Sequence, residues 1–132
     1  MKTVFLGGTC NGSDWRDVFI PRLSANVSAY NPVVPDWTPE CQAEEERQRA
    51  ICDYCLYVIT PKMAGAYSVA EVVDDSNKRP EKTLFCIASY DEGEWTPAQR
   101  KSLGQVAKMV VANGGRYFSE LEDVIAFLND AA

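Results

Sequence analysis

The chain has 132 residues, the size of one ordinary domain, and can bury about two-thirds of the surface of its unfolded form. Thirteen basic and nineteen acidic residues give a net charge of −6, which argues against duplex DNA or RNA as a partner because like charges repel. The sequence contains no histidine, which excludes Ser-His-Asp triads, histidine-bound metals and histidine general bases.

The predicted elements follow from an alternation of apolar runs with polar segments that carry helix start signals. Each predicted strand is a short run rich in β-branched or aromatic residues, and helices begin at hydroxyl, aspartate or proline signals. In chain order these are a strand at 2–8, a helix at 12–24 that Pro21 ends early, a strand at 27–34, a helix at 39–51, a strand at 55–61, a helix at 65–78, a strand at 82–89, a helix from 97, a strand at 116–118 and a last helix after Ser119.

This alternation, with no linker and no repeat, predicts one domain over residues 1–132. We expect an α/β three-layer sandwich with a mostly parallel, five-stranded, flavodoxin-like sheet. Ligands of such sheets bind outside the carboxyl ends of the strands. The loops at that edge are GGTCNGSDWR, NPVVPDW, TPKMAGAYSVAE and ASYDEGEW.

Glu71 lies in the early turns of the predicted third helix, just after a strand. It falls opposite the apolar stripe formed by Ala66, Val69, Ala70 and Val73. One interpretation is therefore a solvated helix face, which Glu71 shares with Asp74 and Asp75. The other is an active site, because these turns border the ligand crevice. The positive end of the helix dipole would favour an ionised carboxylate, as a nucleophile requires.

The loop GGTCNGSDWR brings glycines and hydroxyls to a helix start, where backbone N–H groups bind an anion or a ribose. A tight turn with an N-cap explains the same residues. The candidate binding residues of this segment are Gly7, Gly8, Thr9, Asn11, Ser13 and Arg16. Arg16 would either reach a phosphate or form a surface salt bridge.

Two further aspartates are candidates. Asp36 beside Trp37 in a proline-rich loop would hydrogen-bond and stack a flat heterocycle, or Trp37 would cover the core as a lid. Asp53 stands just before the third strand, which is typical of a turn residue and places it away from the carboxyl edge of the sheet. A site role requires the strand to begin earlier.

Five cysteines without a secretory signal argue against a disulfide framework. Cys52 and Cys55 match C-x-x-C, but no histidine or second pair completes a zinc site, so we expect small core residues rather than a metal or redox site. No run approaches the roughly 20 apolar residues of a membrane span. We expect a cytoplasmic protein with no membrane partner, no metal and no cofactor.

The segments VFLGGTCNGSDWR, YNPVVPDWTPEC, CDYCLYVITP and GAYSVAEVVDD come in the order found in the nucleoside 2-deoxyribosyltransferase-like family, which the chain resembles over nearly its whole length. The resemblance implies that the loop from Gly7 to Thr9 meets the sugar, that Asp53 orients the sugar or assists the base, and that Glu71 attacks the anomeric carbon. Gly65, Tyr67 and Ser68 stand where the family has a polar residue and a Gly-Thr pair before that glutamate.

The function implied by the resemblance is cleavage or base exchange at the N-glycosidic bond of a (deoxy)nucleoside or its monophosphate, through a covalent glycosyl-enzyme intermediate. Asp36 and Asp53 are the candidates to assist departure of the base. The family also implies a homo-oligomer, a dimer or larger. The alternatives are an inactive nucleotide-binding or sensing module of the same fold, and a flavin-binding flavodoxin-like protein, for which the loop after the first strand lacks the fuller hydroxyl run.

Overall fold

The computed structural model describes residues 1–10, 12–89 and 93–131 of the chain. Strands and helices alternate along it, and two short 3₁₀ turns lie at Ile20–Arg22 and Pro80–Lys82. The elements are β1 (Lys2–Gly8), α1 (Trp15–Phe19), β2 (Val27–Tyr30), α2 (Pro39–Ile51), β3 (Tyr54–Ile59), α3 (Tyr67–Lys78), β4 (Thr83–Ile87), α4 (Pro97–Ala112), β5 (Arg116–Phe118) and α5 (Leu121–Ala131).

The five strands form one sheet in the order β2-β1-β3-β4-β5, and every pair is parallel. This arrangement confirms the predicted flavodoxin-like α/β fold with a sheet between helical layers. The chain moves outward from β1 to β2 and then returns to the other side of β1 as β3. The strand order therefore reverses between β1 and β3, and the loops that follow these two strands diverge at the carboxyl edge.

Both faces of the sheet are buried, because successive side chains of a strand point to opposite faces. One face packs against α1 and α5 through a cluster that includes Val4, Leu6, Trp15, Phe19, Leu56, Val58, Leu84, Val124 and Leu128. The other packs against α3 and α4 through a cluster that includes Phe5, Cys55, Tyr57, Ile59, Val72, Phe85, Leu103 and Val110.

Proline and asparagine set the ends of the first elements. Pro21 lacks an N–H, and α1 accordingly ends at Phe19 and continues only as a 3₁₀ turn. β2 ends at Tyr30, before the predicted 34, because Asn31 Oδ1 accepts a hydrogen bond from the N–H of Val33 and turns the chain.

The C-x-x-C pair belongs to the core. Cys52 and Cys55 are buried, and all five cysteines are free. Burial raises the pKa of the Cys55 thiol to about 12, so this group stays protonated at neutral pH. Within the residues that the structure describes, no helix is both long and apolar enough to cross a membrane.

Candidate active site

A cavity of about 640 Å³ lies where the strand order reverses, at the carboxyl ends of β1 and β3. Its walls come from the loop after β1, the loop between β2 and α2, one face of α2, the loop after β3 and the first turns of α3. The volume falls within the roughly 300–1,000 Å³ of small-molecule sites. The position is the one that the parallel sheet predicts for a ligand.

Nine of the predicted site residues line this cavity: Gly7, Gly8, Thr9, Arg16, Trp37, Gly65, Tyr67, Ser68 and Glu71. Ser13, Asp36 and Asp53 are not among its lining residues. Asn11 lies outside the described residues. The lining residues that the sequence did not single out include Gln42 and Glu45 of α2 and Lys62 of the loop after β3.

The end of β1 forms the floor of the cavity and requires glycine. Gly8 has a φ of +117°, and a Cβ there would lie 2.0 Å from the carbonyl oxygen of Val58 on β3. A Cβ on Gly7 would lie 2.5 Å from the ring of Tyr57. Thr9 continues the contact, since its Oγ1 accepts a hydrogen bond of 3.0 Å from the N–H of Thr60. The two loops are therefore held against each other.

Arg16 is buried, so its interpretation as part of a surface salt bridge is wrong. Its guanidinium donates to the carbonyl oxygens of Leu6, at 2.9 and 3.1 Å, and of Thr9, at 2.8 Å. The indole N–H of Trp15 donates to the same Thr9 oxygen at 2.8 Å. Burial lowers the pKa of Arg16 to about 10. These donors shape the loop after β1, and a contact of Arg16 with a ligand phosphate stays a prediction.

Glu71 points inward, so its solvated-face interpretation is wrong. Its side chain is 11% exposed and lines the cavity. The helix is rotated from the prediction, because Val72 and Asp75 are buried while Ala66 and Ala70 are exposed. Alanine buries little apolar surface, and α3 instead docks through Val72 and a buried charge.

Burial acts on the pKa of Glu71 in the opposite direction to the helix dipole. Burial raises the pKa of its carboxyl from 4.5 to about 7, and Glu45, Asp75 and Asp74 add repulsion, while Arg49 lowers it. Desolvation thus outweighs the helix dipole that the sequence analysis invoked. The pKa of the Glu71 carboxyl therefore lies near neutral pH.

Arg49 is the partner of Glu71 and was not among the candidate residues predicted from the sequence. Its Nη1 lies 3.6 Å from Glu71 Oε2. Its other nitrogens bind Asp75, at 3.0 and 3.2 Å, and Asp74, at 2.9 Å. The side chain of Arg49 is only 8% exposed. Because α2 is polar along most of its length, nothing in its sequence pattern indicates that Arg49 is buried.

Glu45 brings a second carboxyl to the cavity. It lies one helical turn before Arg49 on α2, and burial raises its pKa above the ordinary value. The negative charge of Glu45 repels that of Glu71 and thereby raises the pKa of Glu71. Of the described lining residues, these two carry carboxyl groups. Their co-location suits a reaction that needs a nucleophile and a proton donor.

Asp53 lies at the opposite edge of the sheet. β3 begins at Tyr54, and the amino ends of parallel strands are remote from their carboxyl ends. The Asp53 carboxylate accepts hydrogen bonds from Thr3, at 2.8 Å from the backbone N–H and 3.2 Å from the hydroxyl. These bonds lower its pKa. The predicted role of Asp53 at the sugar or base does not agree with this position, and Asp53 is not part of the candidate site.

The loop between β2 and α2 contributes Trp37 but not Asp36. Trp37 is 59% exposed and lines the cavity, so it does not pack as a lid on the core. Asp36 lies on the exposed side of this loop. Ser13 accepts a hydrogen bond from the N–H of Trp15 at 3.4 Å, which is a local contact at the start of α1.

A family model described as nucleoside 2-deoxyribosyltransferase like matches residues 1–90. The chain belongs to the nucleoside 2-deoxyribosyltransferase-like family. This match spans β1 to β4 and all the loops that line the cavity, so the part of the chain shared with the family is the part that builds the candidate site. No curated protein matches the sequence.

The fold of this nucleoside 2-deoxyribosyltransferase-like protein also recurs among solved structures. One is described as a conserved protein from Enterococcus faecalis V583, with a TM-score of 0.63 and 13% sequence identity. The similarity covers 100% of this chain and 99% of that chain. At this identity the likeness shows the fold alone.

In residues 1–10, 12–89 and 93–131, no group of three or more Cys, Asp or Glu side chains is arranged to hold a metal ion. The groups available to a ligand in the cavity include two carboxyls, the amide of Gln42, the ammonium of Lys62 and the exposed rings of Trp37 and Tyr67.

Proposed function

We propose that this protein cleaves the N-glycosidic bond of a (deoxy)nucleoside or nucleoside 5′-monophosphate, or exchanges its base, with Glu71 as the nucleophile. The observation that carries the proposal is the placement of Glu71. Its carboxyl lines a cavity of about 640 Å³ at the switch point of the sheet, in a chain that belongs to a nucleoside 2-deoxyribosyltransferase-like family.

The proposed reaction has two displacements at the anomeric carbon. A carboxylate oxygen of Glu71 forms a bond to C1′ while the bond from C1′ to the base nitrogen breaks, and that electron pair leaves with the base. The product is a glycosyl ester of Glu71. Water or a second base then attacks C1′ from the opposite side and releases the carboxylate, so the configuration at C1′ is retained.

Departure of the base needs a proton, and we assign this role to Glu45. Asp36 and Asp53, the candidates from the sequence, do not line the cavity, whereas Glu45 does. A protonated Glu45 gives its proton to a ring nitrogen as the bond to C1′ breaks. The resulting carboxylate takes a proton from the attacking water or base in the second step. Burial raises the pKa of Glu45 above that of an exposed glutamate, which makes proton donation by this side chain easier to achieve.

The outer wall of the cavity fits a flat, partly apolar ligand. Val33, Val34, Trp37 and Tyr67 are exposed and line this wall. Exposed aromatic rings bind nucleobases by stacking, which every base allows. We therefore place the base against the loop between β2 and α2, and the sugar against the end of β1 beside Glu71.

Incubation with a panel of nucleosides and 5′-monophosphates, with and without a second free base, tests this proposal by chromatography of the products. We expect free base from at least one substrate, abolished turnover in Glu71→Gln, and strongly slowed base release in Glu45→Gln. Ser119→Ala, remote from the cavity lining, is the control. Stabilisation of the protein by these ligands without any base release would instead support an inactive binding or sensing module.

The assembly and location of the protein stay predictions. We expect a homo-oligomer, a dimer or larger, in the cytoplasm, with no membrane or duplex nucleic-acid partner. Light scattering of the purified protein measures the first of these directly.

A further inference from the structure

We propose that Arg49 is a positioning residue for Glu71, and that Asp75 and Tyr57 hold Arg49 in place for this task. The four side chains form one continuous chain of contacts from β3 to the cavity. The inference rests on the proposed function in calling Glu71 the nucleophile, but the contacts themselves do not depend on the substrate.

Asp75 is the anchor of the chain. It is 0% exposed and accepts hydrogen bonds from the hydroxyl of Tyr57, at 2.5 Å, and from two nitrogens of Arg49. Arg79, directly after the end of α3, also forms an ion pair with Asp75. A buried carboxylate with this many donors has one favourable position, and the bidentate contact fixes the plane of the Arg49 guanidinium.

The nitrogens of the Arg49 guanidinium have two different sets of partners. Nε and Nη2 bind the aspartates, which leaves Nη1 directed at Glu71. The Nη1 to Oε2 distance of 3.6 Å is longer than a hydrogen bond, so Arg49 attracts the carboxylate without occupying a lone pair in a strong bond. Such a contact orients Glu71 and favours its charged form while an oxygen stays available for attack.

Packing supports a specific role for Arg49 rather than a surface ion pair. Among the residues of α2, Arg49 is the buried one, and its ion pairs with Asp74 and Asp75 connect this helix to α3. Isolated burial of a guanidinium is costly, and the aspartates of α3 offset that cost. The ring of Tyr57 packs against Gly7 of β1, where a larger residue would leave it no room. From this position its hydroxyl donates a hydrogen bond to Asp75.

Several charged groups act on Glu71 together. Those on packed elements are Arg49 and Glu45 of α2 and Asp74 and Asp75 of α3, and Arg16 of α1 and Lys62 of the loop after β3 line the same cavity. Arg49 is the one whose charge lowers the pKa of Glu71. Removal of Arg49 therefore leaves burial and three acidic neighbours to oppose ionisation.

The test is a ¹³C NMR titration of the Glu71 carboxyl in the free protein, compared between the natural chain, Arg49→Met and Arg79→Met. We expect the pKa of Glu71 to rise by about one pH unit in Arg49→Met, since an adjacent opposite charge shifts a carboxyl by about this much. Arg79→Met removes an ion pair from the same Asp75 without contacting Glu71. It should lower the melting temperature and leave the Glu71 titration unchanged.

Catalysis supplies a second readout. The acid limb of kcat/KM should move upward with the Glu71 pKa in Arg49→Met, so the rate on this limb falls about tenfold. Arg49→Lys keeps the charge but not the fork, and should give a smaller rise in the same direction. It also tests the proposal if Arg49→Met does not fold.

An unchanged Glu71 titration in a folded Arg49 variant overturns the proposal, as does an equal effect of Arg79→Met. Because the titration needs no substrate, its failure is distinct from a failure of the proposed reaction. Absence of base release by the natural protein would refute the function and leave the contact between Arg49 and Glu71 to be judged by NMR.

Discussion

The Nη1 atom of Arg49 lies 3.6 Å from Oε2 of Glu71 and connects α2 to the first turns of α3 beside the cavity. Both side chains are nearly inaccessible, at 8% and 11% exposure. This contact makes the candidate nucleophile part of a charged network rather than an isolated buried carboxyl. It also makes the stability of the protein depend on the protonation of Glu71.

The contribution of Glu71 to stability should decline as the pH rises. Its folded pKa of about 7 lies above the ordinary 4.5, so between these values the folded state holds a proton that the unfolded state has lost. The stabilisation is present in full below pH 4.5 and is lost as the pH rises through 7. The total is at most about 3.5 kcal/mol, at about 1.4 kcal/mol for each pH unit between 4.5 and 7.

Urea unfolding of the natural chain and Glu71→Gln at pH 5 and pH 8 measures this effect. The glutamine cannot ionise, so the variant should gain stability relative to the natural chain between the two values. Comparison of the two proteins cancels the other titrating groups. A stability difference that is the same at both pH values contradicts the raised pKa.

Gly8→Ala should destabilise the fold strongly. The residue has a φ of +117°, and the added Cβ would lie 2.0 Å from the carbonyl oxygen of Val58. Because Gly8 and Val58 are paired between β1 and β3, the two backbones cannot separate without breaking the sheet. We expect a loss of more than about 2 kcal/mol of unfolding free energy. Gly65→Ala is the matched control, because a Cβ there meets nothing within 4 Å. Similar thermal melting curves for the two variants would contradict this assignment.

Asp53→Ala should leave base release unchanged. Its carboxylate accepts its hydrogen bonds from Thr3 at the amino end of β3, so the expected cost is about 1 kcal/mol of stability at most for this exposed group. The same product assay used for Glu71→Gln measures the rate, and thermal melting measures the stability. A large loss of activity in a folded Asp53→Ala protein would show that Asp53 does take part in the reaction.

Turn and cap chemistry made the elements predictable from the sequence. The bounds 2–8 and 39–51 agree with β1 and α2, because two glycines end the first and a Thr-Pro pair begins the second. The Oγ1 of Thr38 indeed accepts a hydrogen bond from the N–H of Cys41. The parallel sheet and the edge where the cavity lies followed from the alternation of these elements.

Buried charges limited the prediction of the site. Apolar periodicity placed Asp75 on the wet face of α3, whereas Asp75 is buried because Arg49, Tyr57 and Arg79 satisfy its oxygens. Arg16 is likewise buried because carbonyl oxygens satisfy its donors. A hydrophobic pattern has no means of detecting charges whose partners come from other elements. Asp53 shows the opposite case, since its place before a strand predicted the remote edge correctly.

The most direct test of the account is intact-mass analysis of the protein quenched with acid during turnover of an active nucleoside, followed by peptide mapping. We predict a transient increase by the mass of the glycosyl group, located on the peptide that contains Glu71 and absent in Glu71→Gln. An adduct on another residue, or base release by Glu71→Gln at the natural rate, would contradict the assignment of Glu71 as the nucleophile.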